Sequence, residues 1–199
     1  PIPSSNCLEI MDTLITLKNL NFRVDEKIIF EKLSLKIYLN RITEVRGNNG
    51  SGKSTLLKLL CEEITSESNT SSNHKNLEIS YLGHKNALIE ELTFKENFEL
   101  NSIKIDKSLS EDLGVFSLRN HKINNLSFGE KRKIALLRVF QSSRKIWVLD
   151  EPFAGLDETS IEMVKKILFQ HLSNQGTIIT SNHQEKITES LKIDLGDKN

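Results

Sequence analysis

Residues Gly47 to Thr55, read Gly-Asn-Asn-Gly-Ser-Gly-Lys-Ser-Thr, carry the spacing G-x-x-x-x-G-K-[ST]. They follow a short apolar-rich stretch, Ile42 to Val45, and precede leucines at 56, 57, 59 and 60. A glycine turn opening an ordinary helix is the simple alternative, but strand, loop and helix in this order are what a phosphate cradle needs. Backbone N–H groups of Gly47, Asn48, Asn49, Gly50, Ser51 and Gly52 would face phosphate oxygens, and the helix N-terminus would add its own donors. Lys53 would neutralise phosphate charge, and the Ser54 hydroxyl is placed for Mg2+.

A second cluster ends the apolar run Ile146-Trp147-Val148-Leu149 with Asp150 and Glu151. Acids at a strand end are usually solvated turn residues. Downstream of a phosphate loop, at the edge of a parallel sheet where ligands sit, they fit another chemistry. Asp150 would hold the metal opposite Ser54, and Glu151 would polarise an attacking water as general base. A third segment, Leu126-Ser127-Phe128-Gly129-Glu130, precedes the basic run Lys131-Arg132-Lys133. Ser-x-x-Glu is a capping box, and helix capping alone would account for it.

The elements that must position these groups follow from periodicity. Thr13 to Leu20 alternates as a half-buried strand does, and Ile28 to Phe30, Leu33 to Tyr38, Ile42 to Val45, Ile79 to Leu82, Lys145 to Leu149 and Thr177 to Thr180 read as further strands. Lys53 to Cys61, Glu130 to Phe140 and Glu158 to Leu172 read as helices. Ile134, Leu137 and Phe140 would form one face. Leu92 to Gly114 reads as irregular helix, and Glu62 to Asn76, rich in Ser, Asn and Glu, as loop. Strands alternating with helices imply a mainly parallel α/β core covered on both faces, and the opening run of strands an antiparallel edge.

Composition narrows the function classes. The 199 residues suit one α/β domain, and Lys plus Arg balances Asp plus Glu at 27 each. A chain that coats nucleic acid would show a basic excess. No apolar run approaches the roughly 20 residues that span a bilayer, so any membrane span would come from other subunits. Cys7 and Cys61 have no metal-ligand or disulfide-framework spacing. Residues 1–12 read as a leader outside the fold, and 13–199 as the domain.

In their order, these segments resemble the ABC ATPases from about residue 13 to the end. The phosphate loop is similar to their Walker A motif, and Leu-Ser-Phe-Gly-Glu to their Leu-Ser-Gly-Gly-Gln signature, with Phe128 and Glu130 departing. Leu149-Asp150-Glu151-Pro152 followed by Gly155-Leu156-Asp157 is similar to Walker B and the D-loop. The resemblance implies a P-loop NTPase fold of ABC type with an antiparallel β edge subdomain and a small helical subdomain near residues 84–140. It implies ATP and Mg2+ as ligands, and His183 as the switch histidine at the γ-phosphate. His84 would take the place of the usual loop glutamine. A second copy would pair head to tail, so that Ser127 and the Gly129 N–H of one chain close over ATP held by the other. Val24 falls where the adenine-stacking aromatic is expected, with Phe22 the nearest ring.

Within that family, Leu82-Gly83-His84 and His183-Gln184 resemble the CcmA subfamily, ATP-binding subunits of cytochrome c biogenesis (haem exporter) complexes. That likeness implies integral membrane partners, a place at the cytoplasmic face of a bacterial inner membrane, and no nucleic acid. An ATPase of another ABC importer or exporter would share every catalytic residue. Soluble ABC proteins of DNA repair or translation carry long inserts or a second ATPase domain, which 199 residues are expected not to hold.

Overall fold

The computed structural model describes residues 12–65, 77–182 and 187–196. Most of the leader, most of the loop before Asn76, and His183 therefore lie outside the described residues.

The first two strands, β1 (Thr13–Val24) and β2 (Lys27–Tyr38), form an antiparallel hairpin turning at Asp25 and Glu26. The sequence splits β2 in two at Glu31-Lys32, but the strand runs through. Leu20 pairs with Leu33 and Phe22 with Phe30, so β2 carries one residue more than β1 between these pairs. Lys32 sits at φ +50 and donates its N–H to Asn21 Oδ1 at 2.9 Å. The polar pair is a bulge, which a strand absorbs without ending.

The main sheet contains β3 (Ile42–Arg46), β4 (Ile79–Leu82), β5 (Ile146–Asp150), β6 (Thr177–Ser181) and β7 (Leu191–Asp194), in the order β4-β5-β6-β3-β7. Every pairing is parallel. Strand β7 was not legible in the sequence. It is a four-residue edge strand of half-exposed residues, too short and too polar to stand out. Strand β5 is buried along its whole length, so its period of two divides the core rather than separating core from solvent. Ile146 and Val148 join Leu56, Leu57 and Leu60 of helix α1 (Lys53–Thr65) and the hairpin residues Ile15, Phe30 and Ile37. Trp147 and Leu149 join the opposite cluster, with Ile134 and Leu137 of α4 (Phe128–Phe140) and Val164 and Leu168 of α5 (Glu158–Ser173). Helix α1 continues a turn past Cys61 because Ile64 extends the buried face of Leu57 and Leu60.

The stretch read as one irregular helix is two, α2 (Phe94–Leu100) and α3 (Lys107–Asp112). Each starts at its own cap. Thr93 forms a capping box with Glu96, and Asp106 accepts from the N–H of Leu109. Residues 84–140 hold α2, α3, α4 and two short 3-10 turns, 116–118 and 123–125. No helix among the described residues is long and apolar enough to cross a membrane.

Candidate active site

In a parallel sheet every strand delivers its C-terminus to one edge, and here the chemistry-bearing residues collect there. The phosphate loop leaves β3, Asp150 and Glu151 end β5, Ser181 ends β6, and Gly83 and His84 follow β4. Because β6 lies between β5 and β3, Ser181 stands between the carboxylates and the loop.

The loop is braced from within. Ser51 N–H donates to Asn48 O at 3.1 Å, and Leu56 N–H to Gly52 O at 2.8 Å as α1 begins. Lys53 is 6% exposed, and its Nζ donates to Gly47 O at 2.8 Å and Asn48 O at 3.1 Å. That contact closes the loop around a buried ammonium at its centre. Gly52 stands at φ +100, and a Cβ there would meet Ile29 and Phe30 of β2 at 2.9–3.0 Å. Glycine is therefore required for the backbone turn and for the approach of the hairpin. Ser54 and Thr55 are half-buried in the first turn of α1, while Asn48, Asn49 and Gly50 are exposed.

Asp150 is 1% exposed. Its Oδ1 accepts from Ser181 Oγ at 2.5 Å, whereas Oδ2 is buried with no hydrogen-bond partner. A buried carboxylate oxygen without a donor is costly unless a cation or donor completes it. The residue thus fits a metal ion. Among the described residues no group of three or more His, Cys, Asp or Glu side chains could hold a metal. Glu151 has φ +50, an uncommon conformation for a non-glycine residue. Its N–H donates to Ser181 O at 3.2 Å and Ser181 Oγ at 3.0 Å. The side chain, 26% exposed, reaches the surface, where Oε2 lies 3.7 Å from His84 Nδ1.

Ser181 is one residue of the site that the sequence did not point to. It binds both acids, and its only signal was a polar residue ending a buried β-branched strand. Glu44 was missed as well. It is fully buried in β3, and its Oε1 accepts from Asn182 Nδ2 at 3.2 Å and from Ile187 N–H at 2.9 Å. It thereby anchors both flanks of the segment that contains His183, which itself lies outside the described residues.

Ser127 caps α4 through a full capping box. Its Oγ accepts from Glu130 N–H at 3.2 Å, and Glu130 Oε2 accepts from Ser127 N–H at 2.8 Å. The Ser127 N–H, chiefly, holds the Glu130 carboxyl below the usual range. The cap thus falls at the start of the signature-like segment, and the charge of Glu130 is turned to its own helix end. Phe128 is 55% exposed, and its ring lies over Gly155. Gly155 has φ +70, and a Cβ there would collide with Phe128 Cδ1. Gly155→Ala is expected to cost about 2 kcal/mol or more, from the left-handed backbone and the clash together. Adding Phe128→Ala should recover the steric part. Thermal unfolding of both variants checks this: no gain in melting temperature for the double variant would mean that the ring does not set the contact. At the hairpin end Val24 is exposed, and the Phe22 ring is engaged with Phe30, centroids 6.5 Å apart.

A phosphate loop on one strand, paired acids on the next but one and a serine-capped signature helix define an ATP-binding cassette. The family model of the ABC transporter matches residues 30–154, and the chain belongs to this family as its ATP-binding, ATP-hydrolysing subunit. The relatives include the cytochrome c biogenesis ATP-binding export protein CcmA of Vibrio cholerae, 30% identical over 92% of this chain and 99% of that one. CcmA of Nitrosococcus oceani is 33% identical over 87% of this chain and 88% of its own. Among solved structures, an ABC transporter ATP-binding protein of Pyrococcus furiosus superposes with a TM-score of 0.71 at 22% identity, covering 90% of this chain and 96% of the other. A dimeric cassette bound to ADP and phosphate superposes with a TM-score of 0.66 at 23% identity, covering 85% and 88%. These likenesses carry the fold.

Proposed function

We propose that this ATPase drives the export step of cytochrome c biogenesis, with haem as the cargo of the complex it powers. The observation that carries the catalytic part is the pair at the end of β5, where a buried Asp150 oxygen lacks a partner and the next residue turns outward as a surface carboxylate. The cargo assignment follows the CcmA relatives, each matched along nearly its full length.

In this reading the Gly47–Gly52 backbone and the start of α1 receive the phosphates, with Lys53 leaving its loop carbonyls for phosphate oxygens. Ser54 and Asp150 would hold Mg2+, which when bound draws charge from the phosphate oxygens. Thr55, one residue on in the same turn, adds a donor at the helix start. Glu151 takes the proton of the attacking water, while His84 and His183 orient that water and the γ-phosphate. Ser127 and the Gly129 N–H complete the site of a second copy paired head to tail, so hydrolysis needs two chains. Residues 84–140 form a helical subdomain that meets integral membrane subunits at the cytoplasmic face of the inner membrane.

Recovery of tagged Glu151→Gln protein from gently solubilised membranes with ATP present tests the assignment. Mass spectrometry is expected to find cytochrome c biogenesis membrane subunits. Another permease would replace the cargo and keep the motor, and ribosomal or DNA-repair proteins would overturn the transporter reading.

A further inference from the structure

Among the described residues Arg132 is the largest fully buried side chain, 1% exposed, five residues past Ser127 on α4. Its hydrogen bonds go to three backbone carbonyls and one side-chain amide rather than to a carboxylate. One terminal nitrogen, Nη1, donates to Gly83 O at 3.0 Å and Asn86 Oδ1 at 2.9 Å. The other, Nη2, donates to the carbonyl of Asp150 and, at 2.9 Å, to that of Glu151. Burial pushes the guanidinium down to about 10, with Asp150 and then Glu151 opposing the shift, so it is charged at neutral pH.

Two successive carbonyls can meet one nitrogen only where the chain leaves the extended form, since a strand turns alternate groups to opposite sides. That departure is the left-handed turn at Glu151, φ +50. Its N–H side is held by Ser181 and its C=O side by Arg132. The same guanidinium holds the 83–86 loop, which carries His84, whose ring lies 3.7 Å from the Glu151 carboxylate. A planar fork with fixed donor directions can bind these two segments at once; a lysine ammonium cannot match that geometry.

We propose that Arg132 is a positioning residue that sets the direction of the Glu151 side chain and the His84 loop from the helix that Ser127 caps. The inference rests on Glu151 being the base. It also gives the cassette a mechanical link: the helix whose N-terminus would serve one nucleotide carries, one and a half turns on, the clamp that aims the base at the other.

The test uses the full chain and five variants: Arg132→Lys, Asn86→Ala, Glu151→Gln, and each of the first two combined with Glu151→Gln. Arg132→Lys is expected to lower kcat for ATP by about tenfold to a hundredfold, as misaimed catalytic groups do, with KM within about twofold. Asn86→Ala, which trims one acceptor from a half-buried loop, should lower kcat by a smaller factor, about two- to fivefold. In the Glu151→Gln background, Arg132→Lys should lower residual turnover by about twofold at most, through the His84 loop, because its main action passes through the missing base. Multiplying effects in that cycle, or full turnover in both Arg132→Lys and Asn86→Ala while Glu151→Gln is slow, would overturn the proposal. Should Arg132→Lys not fold, as thermal unfolding would reveal, Asn86→Ala and its own cycle with Glu151→Gln carry the same decision. Wild-type turnover in Glu151→Gln alone would instead remove the assignment of the base.

Discussion

Glu151→Gln is expected to slow ATP turnover by about a hundredfold or more while nucleotide still binds, since general-base catalysis contributes about 10²–10⁴. The substitution keeps shape and removes proton affinity. The backbone contacts that fix position 151, to Ser181 and Arg132, involve only N–H and C=O groups and survive the change. The loss is therefore confined to the carboxylate. With hydrolysis blocked, the ATP-bound pair of chains should accumulate, visible as a dimer in size-exclusion chromatography with ATP. Phosphate release measured beside equilibrium ATP binding reads both halves of the expectation. Turnover within about twofold of wild type would show that another group takes the proton.

Lys53→Ala should act a step earlier, on binding itself. Removing the ammonium deletes a charge-assisted contact to phosphate, worth about 1.5–3 kcal/mol. It also deletes the internal bonds to Gly47 O and Asn48 O that shape the loop before nucleotide arrives. Affinity for a non-hydrolysable ATP analogue should fall by about tenfold to a hundredfold, on the conversion of 1.4 kcal/mol per decade. Titration calorimetry checks this, with thermal unfolding beside it to establish that the chain still folds. Unchanged affinity would count against the cradle. The two variants should separate the site's functions: Lys53→Ala is expected to lose binding, whereas Glu151→Gln should keep binding and lose turnover.

The amino-acid sequence by itself determined the chemistry and the class of fold. Gly47 to Ser54, Asp150, Glu151 and Ser127 are local signals, each carried by contiguous residues whose spacing is tied to a strand end or a helix start. Buried strands such as β5 and β6 were legible because an apolar run bounded by polar turns has few other uses. The tertiary structure alone decided what no local window contains. Ser181 joins the acids only because β6 pairs between β5 and β3. Glu44 looks like an ordinary charge in a strand until its buried carboxylate anchors Asn182 and Ile187, more than 130 residues away in the chain. Arg132 reads as one of three basic residues on a helix, and only packing reveals that this one points inward while Lys131 reaches Glu90 at 2.7 Å near the surface. Strand β7 and the bulge in β2 depend likewise on pairing partners, whose influence acts through space and leaves little trace in the periodicity of the segment itself.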